Sequence, residues 1–104
     1  MTHKDKKESI LPRPCNGPLY ADWDVIDYVM KIKEEVKEVV EAFRLYNLNR
    51  DNDSYLHLGR ELVDTITACI STLEKLGFKA DDRERMYQEV NDSNAKRDGG
   101  KRFR

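Results

Sequence analysis

The chain has 104 residues, 38% apolar and 38% charged, with 19 basic and 20 acidic side chains and a net charge of −1. That length holds one small domain with no room for a second core, and so thin an apolar fraction leaves part of the surface to close against another subunit, in a homodimer or homotetramer. Near-balanced charge argues against a general nucleic-acid binder.

The first ten residues are mostly polar and charged, unlike a signal peptide, and no apolar run approaches the roughly 20 residues needed to span a bilayer. The expected location is cytoplasmic, with neither membrane nor nucleic acid as partner. Basic residues gather at both ends (Lys4, Lys6, Lys7, then Lys96, Arg97, Lys101, Arg102 and Arg104), which leaves local anion binding open. Cys15 and Cys69 make no disulfide framework, and Cys69 falls on an apolar helical stripe as a small hydrophobe.

Residues 1–21 contain all three prolines and no sustained periodicity. They read as an extended N-terminal arm, packed on a neighbour, ahead of a helical domain over 22–104. A first helix is expected from about Asp22 to Tyr46, because Val25, Tyr28, Val29, Ile32, Val36, Val39, Val40 and Phe43 recur at helical spacing without Gly or Pro between them. Asn47, Asn49, Asp51, Asn52 and Asp53 then form a turn-rich loop. A second helix starts near Asp53 or Ser54, either of which can cap it, and runs to Leu76, with Gly77 as the stop. Asp81 and Glu84, spaced as a capping box, open a third helix that runs to about Lys96, and Gly99-Gly100 ends it. No segment alternates like a strand. The expected fold is all-α: an antiparallel helical bundle of three main helices per chain, completed by oligomerisation.

The acids carry the chemistry. At about 100° per residue with Glu35 as zero, Ile32, Val36, Val39, Val40 and Phe43 fall between about 40° and 140°. Glu35 borders that stripe and Glu38 lies about 60° beyond it. With Glu61 as zero, Leu58, Leu62, Ile66, Cys69 and Leu73 occupy about 60° to 140°, and Asp64 again lies about 60° beyond its neighbour acid. Seven residues after each first acid stands an alanine, Ala42 or Ala68, small enough for close helix approach.

Between Glu61 and Glu74, Asp64 is the only charge. A helix so uncharged is expected to be buried on several sides, and a lone carboxylate there costs several kcal/mol unless a cation or a Lys or Arg neutralises it. Oxygen ligands suit Mg²⁺, and Mn²⁺ fits the same set, while no His or Cys at ligand spacing favours zinc. His57, one turn before Glu61, could hydrogen-bond that carboxylate, or it is an exposed histidine at a helix start. The competing reading is ordinary: Glu34, Glu35, Lys37, Glu38 and Glu41 also look like a solvated helix face.

Glu34-Glu35-x-x-Glu38, followed after 22 residues by Glu61-x-x-Asp64, resembles the signature of MazG-like all-α nucleoside triphosphate pyrophosphohydrolases. The segment from Glu89 to Arg97 resembles the Asn-rich and basic third motif of that superfamily. It is also similar to the Ser-Asn-x-x-Lys type of the phosphoribosyl-ATP pyrophosphohydrolase-like branch, although here the lysine follows Ser93-Asn94 one residue too soon. The resemblance covers residues 22–104.

It implies hydrolysis of a (deoxy)nucleoside triphosphate between the α- and β-phosphates, to monophosphate and pyrophosphate, controlling or cleaning a nucleotide pool. It also implies Mg²⁺ on Glu35, Glu38, Glu61 and Asp64, with Glu34 orienting the attacking water and Glu38 also serving catalysis. Asn91, Asn94, Lys96 and Arg97 would reach phosphates or sugar. Relatives often carry a further helix before the first acids, and this chain has only the arm. The base pocket would therefore be completed by a partner subunit or by Trp23 and Tyr28, with core or dimer packing the other role open to Trp23. The alternatives are a non-catalytic helical interaction module and phosphoribosyl-ATP hydrolysis.

Overall fold

The computed structural model describes residues 10–104. A short 3-10 turn, Pro18–Tyr20, precedes three helices: α1 (Val25–Asn49), α2 (Asn52–Lys75) and α3 (Ala80–Lys96). A second 3-10 turn, Arg97–Gly100, follows α3, and no strand occurs among the described residues.

Local chemistry sets each boundary. At the start of α1 the Asp24 amide donates to Asp27 Oδ2 at 2.8 Å, placing an acid in the first turn where the helix end is positive. The helix continues through Asn47, Leu48 and Asn49, which the composition assigned to a loop, and stops at Arg50 in the left-handed region (φ 51°) with its N–H on Tyr46 O. The cap of α2 is Asp51, not Asp53 or Ser54. Its carboxylate accepts from the Ser54 amide at 2.8 Å and from Ser54 Oγ at 2.6 Å. Only Arg50 and Asp51 therefore join the first two helices.

Gly77 ends α2 as expected. At φ 101° it lets its own N–H reach Glu74 O and the Phe78 N–H reach Leu73 O, the paired bonds of a Schellman motif. At the start of α3 the Lys79 amide donates to Asp82 Oδ2 at 3.0 Å, so Asp82 does the work expected of the Asp81–Glu84 pair. Gly99 and Gly100 both have positive φ just past the end of α3.

α1 and α2 pack on each other along a seam that holds Tyr28, Glu35 and Ala42, seven residues apart, on α1, and Ser54, Ala68 and Thr72 on α2, where Ile70 and Ser71 are buried as well. Glu61 falls in the same register and is largely covered. A seven-residue spacing is the seam of helices crossing at a shallow left-handed angle. Ala42 and Ala68 are both buried. The seam tolerates hydroxyls because they bond backward to their own helix: Thr65 Oγ1 to Glu61 O at 2.9 Å, and Thr72 Oγ1 to Ala68 O at 2.8 Å.

The expected core stripes do not face each other. Val36, Val40, Phe43, Leu62, Ile66 and Cys69 are exposed. The small and polar seam draws the backbones together and rolls the bulky sector outward, and α3 does not cover it. α3 is fastened at its first turn, where buried Arg83 donates through Nη1 to Glu74 Oε1 and Phe78 O, both at 2.6 Å. Residues 1–9 of the expected arm lie outside the described residues, and its later part packs on its own chain: the Cys15 amide donates to Ser71 Oγ at 2.8 Å, and Tyr28 OH donates to Cys15 O at 3.1 Å.

Candidate functional site

Glu35 is the centre of the acid cluster. Its carboxylate belongs to two sets whose oxygens lie within 4.8 Å of one another, Glu34–Glu35–Glu38 on α1 and Glu35–Glu61–Asp64 across the seam. The four expected ligands, with Glu34, thus fall into two sets that share Glu35, and among the described residues no set holds all four. The seven-residue register explains it, because Glu35 and Glu61 take seam positions one step from Ala42 and Ala68.

Burial is distributed differently from the expectation. Asp64 is exposed, because its uncharged neighbours Leu62, Val63 and Ile66 are themselves on the open surface. The carboxylate enclosed by protein is Glu35, 6% exposed, with Glu61 largely covered. Glu34 and Glu38 lie outside on the solvated face.

Burial, followed by the Glu38 charge, pushes the Glu35 carboxyl above the ordinary glutamate range; Asp64 and Glu61 add to the rise and Lys31 opposes it. Lys31 Nζ is 2.8 Å from Glu34 Oε1 and 3.6 Å from Glu35 Oε1. Hydrogen bonding to Lys31 holds the Glu34 carboxyl below its usual range, so Glu34 stays ionised. His57 Nε2 stands 3.6 Å from Glu61 Oε2, too far for a hydrogen bond, with its side chain half exposed.

Glu61 Oε1 is enclosed and has no hydrogen-bond partner among the described residues. A buried carboxylate oxygen without a donor costs a few kcal/mol, and a cation removes that cost together with the mutual repulsion of the acids. The donors are all carboxylate oxygens, which suit a hard divalent ion such as Mg²⁺ or Mn²⁺. The residues present fit such an ion.

Beside the acids opens a cavity of about 260 Å³. Cys15 and Tyr20 come to it from the arm, Lys31 and Glu35 from α1, and Asp64 and Ser71 from α2. Sequence reasoning missed four of these, Ser71 among them. Lys31 precedes Glu35 by one helical turn, and that spacing could have revealed it. Cys15 and Tyr20 carry no such signal, since only the docking of the arm brings them here. Burial, then the nearby Cys15, raises the Tyr20 phenol, which stays neutral at the cavity wall.

The other expected substrate contacts lie elsewhere. Trp23 is half-buried, with its ring centroid 4.7 Å from that of Tyr20 and 5.1 Å from that of Tyr28, and it packs behind the wall without lining the cavity. Asn91, Asn94, Lys96 and Arg97 are on α3 or just past it and do not line this cavity. Asn94 Oδ1 accepts from Arg102 Nη1 at 2.8 Å, and the other three side chains face solvent.

No family model matches the chain, and no curated protein or solved structure matches it.

Proposed function

We propose that the chain is a divalent-cation-dependent pyrophosphohydrolase acting on a (deoxy)nucleoside triphosphate between the α- and β-phosphates, in the manner of the MazG-like enzymes it resembles. The observation that carries the reading is the convergence of four carboxylates on a fifth, the buried Glu35, beside an enclosed Glu61 oxygen with no donor among the described residues. An ordinary solvated acidic face leaves its carboxylates in water and has no reason to place one on a helix–helix seam.

In this reading Glu35, Glu38, Glu61 and Asp64 hold Mg²⁺, or Mn²⁺ in its place. Bound there, the ion would lower the pKa of a coordinated water and offset phosphate charge. Glu34, kept ionised by Lys31, accepts a hydrogen bond from the attacking water and orients it, and Glu38 is placed to take its proton. Lys31 faces the cavity and meets the phosphates, a role the resemblance gave to Lys96 and Arg97. Tyr20 and Cys15 wall the cavity on its arm side. The two-residue link between α1 and α2, and the meeting of Glu35 with Glu61 and Asp64, support an antiparallel pair. The reading includes self-association into a dimer or tetramer.

The test is pyrophosphate release from a panel of NTPs and dNTPs with Mg²⁺, with phosphoribosyl-ATP as competitor. Turnover is expected with at least one nucleotide, abolished by Glu38→Gln or Asp64→Asn with the helical circular dichroism intact. Absence of metal-dependent release from every member, with no thermal shift from Mg²⁺ or Mn²⁺, would sink the reading and leave a non-catalytic helical module.

A further inference from the structure

Asn16 is the chain's one asparagine followed by glycine. Both residues are exposed, and they link the anchored Cys15 to the turn at Pro18–Tyr20. The pair has a chemistry of its own. The backbone nitrogen that follows an asparagine can attack that residue's side-chain carbonyl carbon, and glycine, with no Cβ, lets the chain fold back far enough.

The surroundings leave this attack open. Among the described residues neither the Gly17 N–H nor the Asn16 carboxamide enters a hydrogen bond. Apart from its chain neighbours, nothing lies within 4 Å of where a Cβ on Gly17 would stand. Every other asparagine lies in a helix and precedes a residue that carries a Cβ.

We propose that Asn16 is a site of spontaneous modification with water as its co-reactant, and that the isoaspartate formed there loosens the arm from the cavity. The Gly17 nitrogen bonds to Asn16 Cγ and the Cγ–Nδ2 bond breaks. The Gly17 proton passes by way of solvent to Nδ2, which leaves as ammonia, and a cyclic imide remains. Water then adds to one of the two imide carbonyl carbons and breaks that carbon's bond to the nitrogen. Opening at Cγ gives aspartate. Opening at the main-chain carbon gives isoaspartate, in which the chain runs through Cβ and Cγ. Nothing is oxidised or reduced.

The chain is fastened on both sides of this link. Cys15 donates to Ser71 Oγ at 2.8 Å and accepts from Tyr28 OH at 3.1 Å. Gly17 O accepts from the Tyr20 amide at 2.9 Å, and the Tyr20 ring packs on Trp23. Isoaspartate lengthens the link by one carbon–carbon bond, about 1.5 Å. Taken up at either anchor, that length pulls a hydrogen bond out of range. Cys15 and Tyr20 wall the cavity, so either loss opens its arm side. An outward bulge at Asn16 would spare both anchors, and Trp23, the chain's one tryptophan, tells the two outcomes apart. The proposal stands whether or not the chain hydrolyses nucleotides.

The test ages the full chain for several weeks in mildly alkaline buffer with a reductant. Digests are read by mass spectrometry and with an isoaspartate-specific carboxyl methyltransferase. Isoaspartate is expected at Asn16, and Trp23 emission should move to longer wavelength in step with it. Gly17→Ala should slow the conversion at least about tenfold, since a Cβ restricts the backbone angles that ring closure needs. Gly17 has φ −79°, which alanine adopts, so that variant keeps the fold. Asn16→Asp, which carries the new charge without the added bond, should keep the original emission. An amide still intact after ageing, or a Gly17→Ala chain that converts as fast as wild type, would overturn the proposal. So would isoaspartate with unchanged Trp23 emission, or an Asn16→Asp chain with the same shift.

Discussion

Replacing Glu35 with glutamine separates a cation site from an ordinary acidic face, because the two make opposite predictions about stability. The carboxylate is buried and has acids of both sets within 4.8 Å. At an effective dielectric constant of about 20, two unit charges that far apart repel by about 3.5 kcal/mol. Lys31, at 3.6 Å, returns about 4.6 kcal/mol on the same scale. Summed over Glu38, Glu61 and Asp64, less the Lys31 attraction, and screened roughly two- to threefold by solvent exposure, these leave ionised Glu35 unfavourable by about 2 kcal/mol without a cation.

Glu35→Gln is therefore expected to stabilise the chelated protein by about 1–2 kcal/mol, a rise in Tm of about 5–10 °C for a chain of this size. Mg²⁺ at a hundred times its dissociation constant should stabilise the wild type by about 2.7 kcal/mol. The variant should lose most of that response. The assay is thermal unfolding by circular dichroism at one protein concentration, in chelator and in Mg²⁺. A variant less stable than wild type in chelator, yet with the full Mg²⁺ shift, would refute the electrostatic reasoning.

Three further outcomes follow from the packing and caps. Ala68→Leu should cost about 1–3 kcal/mol by overpacking the seam and should weaken the Mg²⁺ response by spreading Glu35 from Asp64; an unchanged urea midpoint contradicts it. Arg50→Gly relieves a left-handed backbone at φ 51° but removes the guanidinium from 5.2 Å above the Tyr46 ring. The net expectation is a gain of about 0.5–1 kcal/mol, and a fall in urea midpoint would count against it. Arg83, then Lys79, holds the Glu74 carboxyl below its ordinary 4.5. A depressed folded value means stability that is present above 4.5 and lost as pH falls through the folded value. The gap between wild type and Glu74→Gln should therefore close under acid; a gap that widens on acidification has the wrong sign.

Helix existence was legible because Gly77, the Gly99-Gly100 pair and the unbroken apolar spacing before Tyr46 are local signals. The acid register was legible too, since Glu35 and Glu61 stand in matching positions relative to Ala42 and Ala68. Facing direction was not. The widest apolar sector looked like the interior, but two helices alone bury the side that lets them approach most closely, and here that side is alanine, serine, threonine and glutamate, with Tyr28 as its one large member. For the same reason burial was assigned to Asp64 when the packing gives it to Glu35. The arm carried no periodicity at all, so nothing in the residue pattern could bring Cys15 to Ser71 or Tyr20 to the cavity.

The shared register constrains the spacing of the chain itself. An inserted or deleted residue turns everything beyond it in the helix by about 100°. Between Glu35 and Ala42, or between Glu61 and Ala68, such a change would take either the carboxylate or the alanine off the seam, and no compensating substitution nearby could restore both. The stretch after Lys96 lies outside both helices of the seam and bears no such coupling. Length variation among descendants of this sequence should collect outside the helix pair and spare it, as a ruler tolerates wear at its tips but not between its graduations.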